Sequence, residues 1–134
     1  MSSEVVYYKF LGMGGASTFA RGFKWPRTGL WAPPVDGDLK MCNNGYHACT
    51  AEHIIDWLNE ELYILEFRGE VLVGGDKVCG REARLVRRVK TWNASSARLF
   101  AADCAERVLP IYERNFPQDN RPRGAIKALS LIHI

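Results

Sequence analysis

The densest run of chemically capable side chains is Cys42–His53, which brings Cys42, His47, Cys49 and His53 together. Thiolates and imidazoles are the ligands zinc prefers, and Cys79 or Cys104 could complete a set of four. The spacing Cys-x4-His-x-Cys is not the paired Cys-x2-Cys of a strong zinc motif. Reduced, buried thiols around a polar histidine are the better reading, and neither a metal nor a bound cofactor is expected. Tyr46 and His47 face opposite sides of a short predicted strand, and that strand feeds a helix whose N-cap is Thr50. Free N–H groups at such a helix start suit an anion such as a phosphate, and an imidazole beside them could position a ribose or diphosphate. His47 could equally bond a backbone carbonyl in the core, and the residues alone do not separate the two.

Two further groups bear on chemistry. Phe19, Phe23, Trp25 and Trp31 could stack a base, although aromatic rings that pin a loop to a core are the commoner case. Arg81, Arg84, Arg87, Arg88 and Lys90 form the basic cluster. Strand alternation puts only part of it on one face, so a solvated strand is the simpler reading and a nucleic-acid partner is not expected.

The elements that must position these residues follow from pattern. Val5–Leu11 is β-branched and aromatic and runs into Gly12-Met-Gly-Gly, a strand entering a loop. Residues 16–41 lack helical period and carry Pro26, Pro33 and Pro34, which predicts a long loop with at most one short strand. Asn43-Asn44-Gly45 is a turn before the Tyr46–Cys49 strand, and Ile54, Ile55 and Leu58 mark a helix of two to three turns. Leu62–Phe67 is nearly all apolar, which predicts a central strand covered on both faces, with Val71–Val73 extending it. Ala83–Val89 reads as another strand. From Ser95 the period becomes helical, with Ser95 or Ser96 as cap and Pro110 ending or kinking the helix; a further helix starts at Arg123.

The fold class is α+β: a small mixed sheet with flanking helices. A chain of 134 residues suffices for one core without staples, and a net charge of +3 admits an anionic partner without demanding one. With no basic and apolar leader and no long uncharged apolar run, the expected compartment is the cytoplasm and no membrane contact is expected.

The blocks ARGF, CNNGYHAC, TAEHIIDWL, ELYILEFRGEV and DKVCGREARLVRRV resemble an uncharacterised bacterial and phage domain family with a Cys–Gly–aromatic–His–Ala–Cys core, over about residues 5–92. More remotely, the order of elements is similar to the ADP-ribosyltransferase-like fold, and Arg84–Trp92 is similar to the closing strand of small rifamycin-modifying transferases. That resemblance implies NAD or an ADP-ribose derivative as substrate or ligand. Tyr8 or Lys9 would hold the nicotinamide-ribose end, Tyr46 or His47 would meet the nicotinamide, and Glu82 would be the acidic third residue. The implied catalytic residues are His47 and Glu82, with Tyr8, Lys9 and Tyr46 as ligand contacts; the helix start at Thr50 and the Trp25 ring join them as ligand contacts from the reading of the residues themselves.

Residues 98–128 resemble the opening of bacterial proteins named as immunity proteins, and Leu129–Ile134 resembles a translated library adapter, which implies a metagenomic read. The division expected is therefore an α+β ligand-binding domain over 1–93, a truncated helical extension over 94–128 and a non-native tail over 129–134. The expected function is binding or modification of a nucleotide of the NAD/ADP-ribose class in phage–host conflict. The alternative is a protein-interaction module of an immunity or anti-defence system, with a protein partner and no small ligand.

Overall fold

A computed structural model describes residues 5–16 and 23–131, with side chains through residue 128. Phe19 lies outside the described residues, as do residues 132–134 of the supposed tail. The chain divides into two compact units, Met1–Lys90 and Thr91–Ile134.

The first unit is a four-stranded sheet of β1 (Tyr7–Leu11), β2 (Tyr46–Ala48), β3 (Glu61–Val73) and β4 (Val78–Arg88), in the order β1-β3-β4-β2. Every pairing is antiparallel, which corrects the expected mixed sheet. The reason lies in the connection: β3 and β4 are joined by a tight turn in which Gly74 N–H donates to the Lys77 carbonyl at 2.8 Å, and a short hairpin can only reverse direction. β3 carries a bulge between Arg68 and Val71, where Gly69 adopts a φ of +80°.

The sheet curls until its two outer strands meet. Tyr8 N–H donates to the Cys49 carbonyl at 2.7 Å, and Cys49 N–H donates back at 2.9 Å. The loop read over residues 16–41 forms no strand among its described residues, yet part of it lies along β4. Gly29, Ala32 and Val35 donate to the carbonyls of Leu85, Ala83 and Arg81 at 2.7, 2.9 and 3.1 Å. Pro33 and Pro34 fall between those donors, where no N–H is needed.

The core inside the curl joins Leu11, Trp25, Ala48, Leu65, Ala83 and Leu85, with Tyr7, Tyr63 and Phe67 packed against them. Leu62 and Leu65 are buried, but Ile64 and Phe67 are only half covered and Glu66 is exposed. The expectation of a strand buried on both faces therefore holds for part of β3 only. Gly80 admits the Phe67 ring: a Cβ there would lie 2.2 Å from Cδ1. After β2 comes a seven-residue 3-10 helix, Ala51–Trp57, in place of the two to three α-turns expected. Its apolar stripe is not buried, since Ile55 and Leu58 are exposed, so packing does not lengthen it.

The second unit is a helical pair, α1 (Ala94–Asn115) and α2 (Arg121–Leu131). The cap of α1 is Asn93, not Ser95 or Ser96. Its side chain accepts from Ser96 N–H at 2.9 Å while Ser96 Oγ accepts from Asn93 N–H at 2.9 Å, a reciprocal capping box. Pro110 does not end the helix, which runs on to Asn115. Ala102, Leu109 and Ile126 form the core of the pair, and Arg123 clasps Glu113 through contacts of 2.9 and 2.6 Å. Asp119 accepts from Tyr112 OH and from the Arg121 guanidinium, whose bonds hold its carboxyl well below the usual carboxylate range. The backbone of α2 continues through residues 129–131.

Candidate functional site

Most of the residues singled out in the sequence lie where β1 meets β2. Tyr8 supplies the backbone bridge to Cys49, and Lys9 follows it on β1, opposite Tyr63 in register. The Lys9 ammonium stands 5.8 Å from the centre of the Trp25 ring. Among the described residues no carboxylate meets it. Burial lowers its pKa from 10.5 to about 8, with Cys49 and Cys79 pulling weakly the other way. Trp25 belongs to a ring cluster, 5.7 Å from Phe23 and 5.1 Å from Tyr46 between centroids. Tyr46 OH donates to the Pro33 carbonyl, and burial pushes that phenol upward. Lys9, Trp25 and Tyr46 thus share one neighbourhood, in which an ammonium lies beside an aromatic wall.

His47 follows Tyr46 on β2 and is held by backbone. Its Nε2 accepts from Cys42 N–H at 2.8 Å, and a backbone hydrogen bond to Gly45 supports the charged form only weakly. Burial and then the charges of Lys9 and Lys77 lower its pKa, so the imidazole is neutral at pH 7. An Nε2 engaged this way works as the clamp of the Cys42–His47 turn, where Cys42 takes a left-handed φ of +65°. Thr50 occupies the N-cap position of the 3-10 helix but makes no side-chain cap, and a helix this short has little dipole to offer.

Glu82 is elsewhere. His47 faces Cys79 across β2 and β4, whereas Glu82 lies three residues further along β4, about 10 Å at a strand's rise. It accepts from Arg68 Nε at 3.1 Å. Arg68 in turn stacks on Trp31 with its guanidinium carbon 4.0 Å from the ring centre, and Arg84 lies 4.9 Å from that centre while paired to Glu66. The basic cluster is largely engaged in this way, since Arg81 bonds the Val35 and Gly37 carbonyls and Glu70, and Arg88 approaches Glu61.

Glu61 is the residue that the sequence reading passed over. It is the buried charged side chain among the described residues, at the head of β3. A signal existed: Glu61 and Tyr63 alternate on one face, so a carboxylate and a phenol were bound to meet. Among the described residues no group of three or more His, Cys, Asp or Glu is placed to hold a metal ion. Cys49 and Cys79 are buried free thiols, and Cys42 and Cys104 are exposed ones. None of the described helices is long and apolar enough to cross a membrane.

The helical pair presents a different surface. Val108 and Ile111, 59% and 57% exposed, lie one turn apart on α1 with exposed Cys104 a turn before them, on a face that α2 leaves open. No curated protein and no solved structure matches the chain. Residues 88–132, a stretch that contains α1 and α2, match the family described as Imm-5 like putative immunity protein.

Proposed function

We propose that this chain is a protein-interaction module of an immunity system, which acts by binding a partner protein. The similarity of residues 88–132 to an immunity family carries the reading. The open apolar face of α1 supports it, because Val108 and Ile111 give a helix the pair of anchors that helix recognition uses. The position of Glu82 in a surface ion pair, away from His47, weighs on the same side.

Co-expression with toxin domains encoded beside genes for similar helical pairs tests it. The chain restores growth and co-elutes with one toxin as a stoichiometric complex. Val108→Asp with Ile111→Asp abolishes both effects while circular dichroism stays unchanged. Growth rescue without a complex, or a complex indifferent to those substitutions, overturns the reading.

One observation favours a second reading, a ligand of the NAD/ADP-ribose class held by the first unit: the Lys9 ammonium beside the Trp25 and Tyr46 rings. A thermal-shift panel with NAD, ADP-ribose and cyclic ADP-ribose tests it, with nicotinamide release as the sign of transfer. Binding lost in Lys9→Met and Trp25→Ala supports it; a flat panel removes it.

A further inference from the structure

A cleft of about 420 Å³ opens over the head of β3, between the turn that carries Gly14 and residues 24–28. That volume suits a small molecule. Its floor is Glu61, whose side chain is only 10% exposed. Oε1 accepts from Tyr63 OH at 2.8 Å; Oε2 accepts from Gly14 N–H at 3.2 Å and has Arg88 at 3.5 Å. A carboxylate oxygen takes two donors, so Oε1 keeps one acceptor position. The turn is fixed on both sides, by Gly15 N–H to the Gly12 carbonyl and by Trp25 N–H to the Gly15 carbonyl. Gly14 and Gly15 have φ of +74° and +80°, and a Cβ on either would meet nothing within 4 Å, so their backbone is open to a visitor. Lys24 and Arg27 are exposed on the cleft wall, and neither meets a carboxylate among the described residues. Trp25 supplies apolar surface.

Two cations at the wall that meet no carboxylate among the described residues and a buried acceptor at the floor call for a ligand with an anion at one end and hydroxyl donors at the other. We infer that this cleft binds a small sugar phosphate, its phosphate on Lys24 and Arg27 and a hydroxyl on Glu61. The assignment is independent of both readings above and shares only Trp25 with the ring cluster.

Calorimetry and amide chemical shifts with ribose 5-phosphate, inorganic phosphate and ribose test it on the whole chain. Ribose 5-phosphate binds and moves the Gly14 and Gly15 amides; inorganic phosphate binds at least tenfold more weakly, and ribose gives no heat. Lys24→Ala with Arg27→Ala, both at exposed positions, weakens ribose 5-phosphate at least tenfold with an unchanged melting temperature. Glu61→Gln weakens it likewise without altering the affinity for inorganic phosphate. No heat with ribose 5-phosphate, or shifts confined to other residues, overturns the inference. Equal affinity for inorganic phosphate and ribose 5-phosphate overturns the role of Glu61 and leaves an anion patch only.

Discussion

Replacing Lys9 by Met should stabilise the first unit at neutral pH, and the size of the effect follows from where the ammonium sits. Burial takes its pKa from 10.5 to about 8, a shift equivalent to about 3 kcal/mol against the charged form. Lys9 is half-buried and water still screens it, which brings the expected penalty to roughly 1–2 kcal/mol. The Trp25 ring returns about 0.5–1 kcal/mol of that. Lys9→Met keeps the apolar stem, so it should raise stability by about 1 kcal/mol at pH 7. Below pH 8 folded and unfolded chains both carry the proton, and the penalty is complete. Between about 8 and 10.5 the unfolded chain binds more protons than the folded one, so this contribution to stability rises with pH. Cys49 acts in the opposite direction: burial pushes its thiol from 9.0 to about 11, so its contribution falls with pH over that interval. Burial, the larger cause of that shift, is common to both proteins and drops out of their difference, whereas the smaller pull of Lys9 on the Cys49 thiol does not. Urea unfolding followed by tryptophan fluorescence at pH 7 and 10 measures the gap, which should shrink by roughly half at the higher pH. A variant less stable at pH 7, or a gap that ignores pH, would refute the reasoning.

Three other perturbations probe the packing. Leu65→Ala removes a side chain 2% exposed in the core of the curl and should cost about 2–5 kcal/mol in denaturant unfolding; a neutral outcome would mean that the core is elsewhere. Gly80→Ala places a Cβ 2.2 Å from the Phe67 ring and should cost about 1–3 kcal/mol. Phe67→Ala should mask that cost in the double variant, and a fully additive cycle would show that ring and glycine do not meet. Asn93→Ala removes one half of the capping box and should lower the stability of the helical pair by about 0.5–2 kcal/mol, seen in the thermal loss of helical dichroism.

The parts of this fold legible in the sequence are those set by short-range pattern. Val5–Leu11, the Asn43–Gly45 turn and the helical stretch after Ser95 each carry their own period or turn chemistry, and β1, β2 and α1 lie where those signals are. What escaped depends on distant partners. Nothing local says that Pro110 can sit inside a helix; its neighbour Leu109 is buried in the core with Ile126, and that packing holds the chain helical on both sides. Nothing local says that the Ile54–Leu58 stripe stays uncovered, so the element stops at one 3-10 segment. The reversal of strand direction was legible in Gly74-Gly75-Asp76-Lys77, a short turn between two apolar runs that leaves no room for a crossover. Glu61 owes its burial to Gly14, Tyr63 and Arg88 together, and of these only Tyr63 is its neighbour in sequence.

The meeting of β1 and β2 at Tyr8 and Cys49 bears on how the chain is made. Tyr7 pairs with Leu65 and Tyr46 with Gly80, so a nascent chain leaving the ribosome holds its first strand without its main partner until β3 emerges. The hairpin of β3 and β4 is the local piece and is expected to form first, because closing its short turn sacrifices little chain entropy. β1 and β2 then add to its two outer edges, and the last hydrogen bonds to form are those that join them to each other. Until that moment the waiting strands Tyr7–Leu11 and Tyr46–Ala48 offer unpaired edges to any other chain, and the final closure withdraws both from reach.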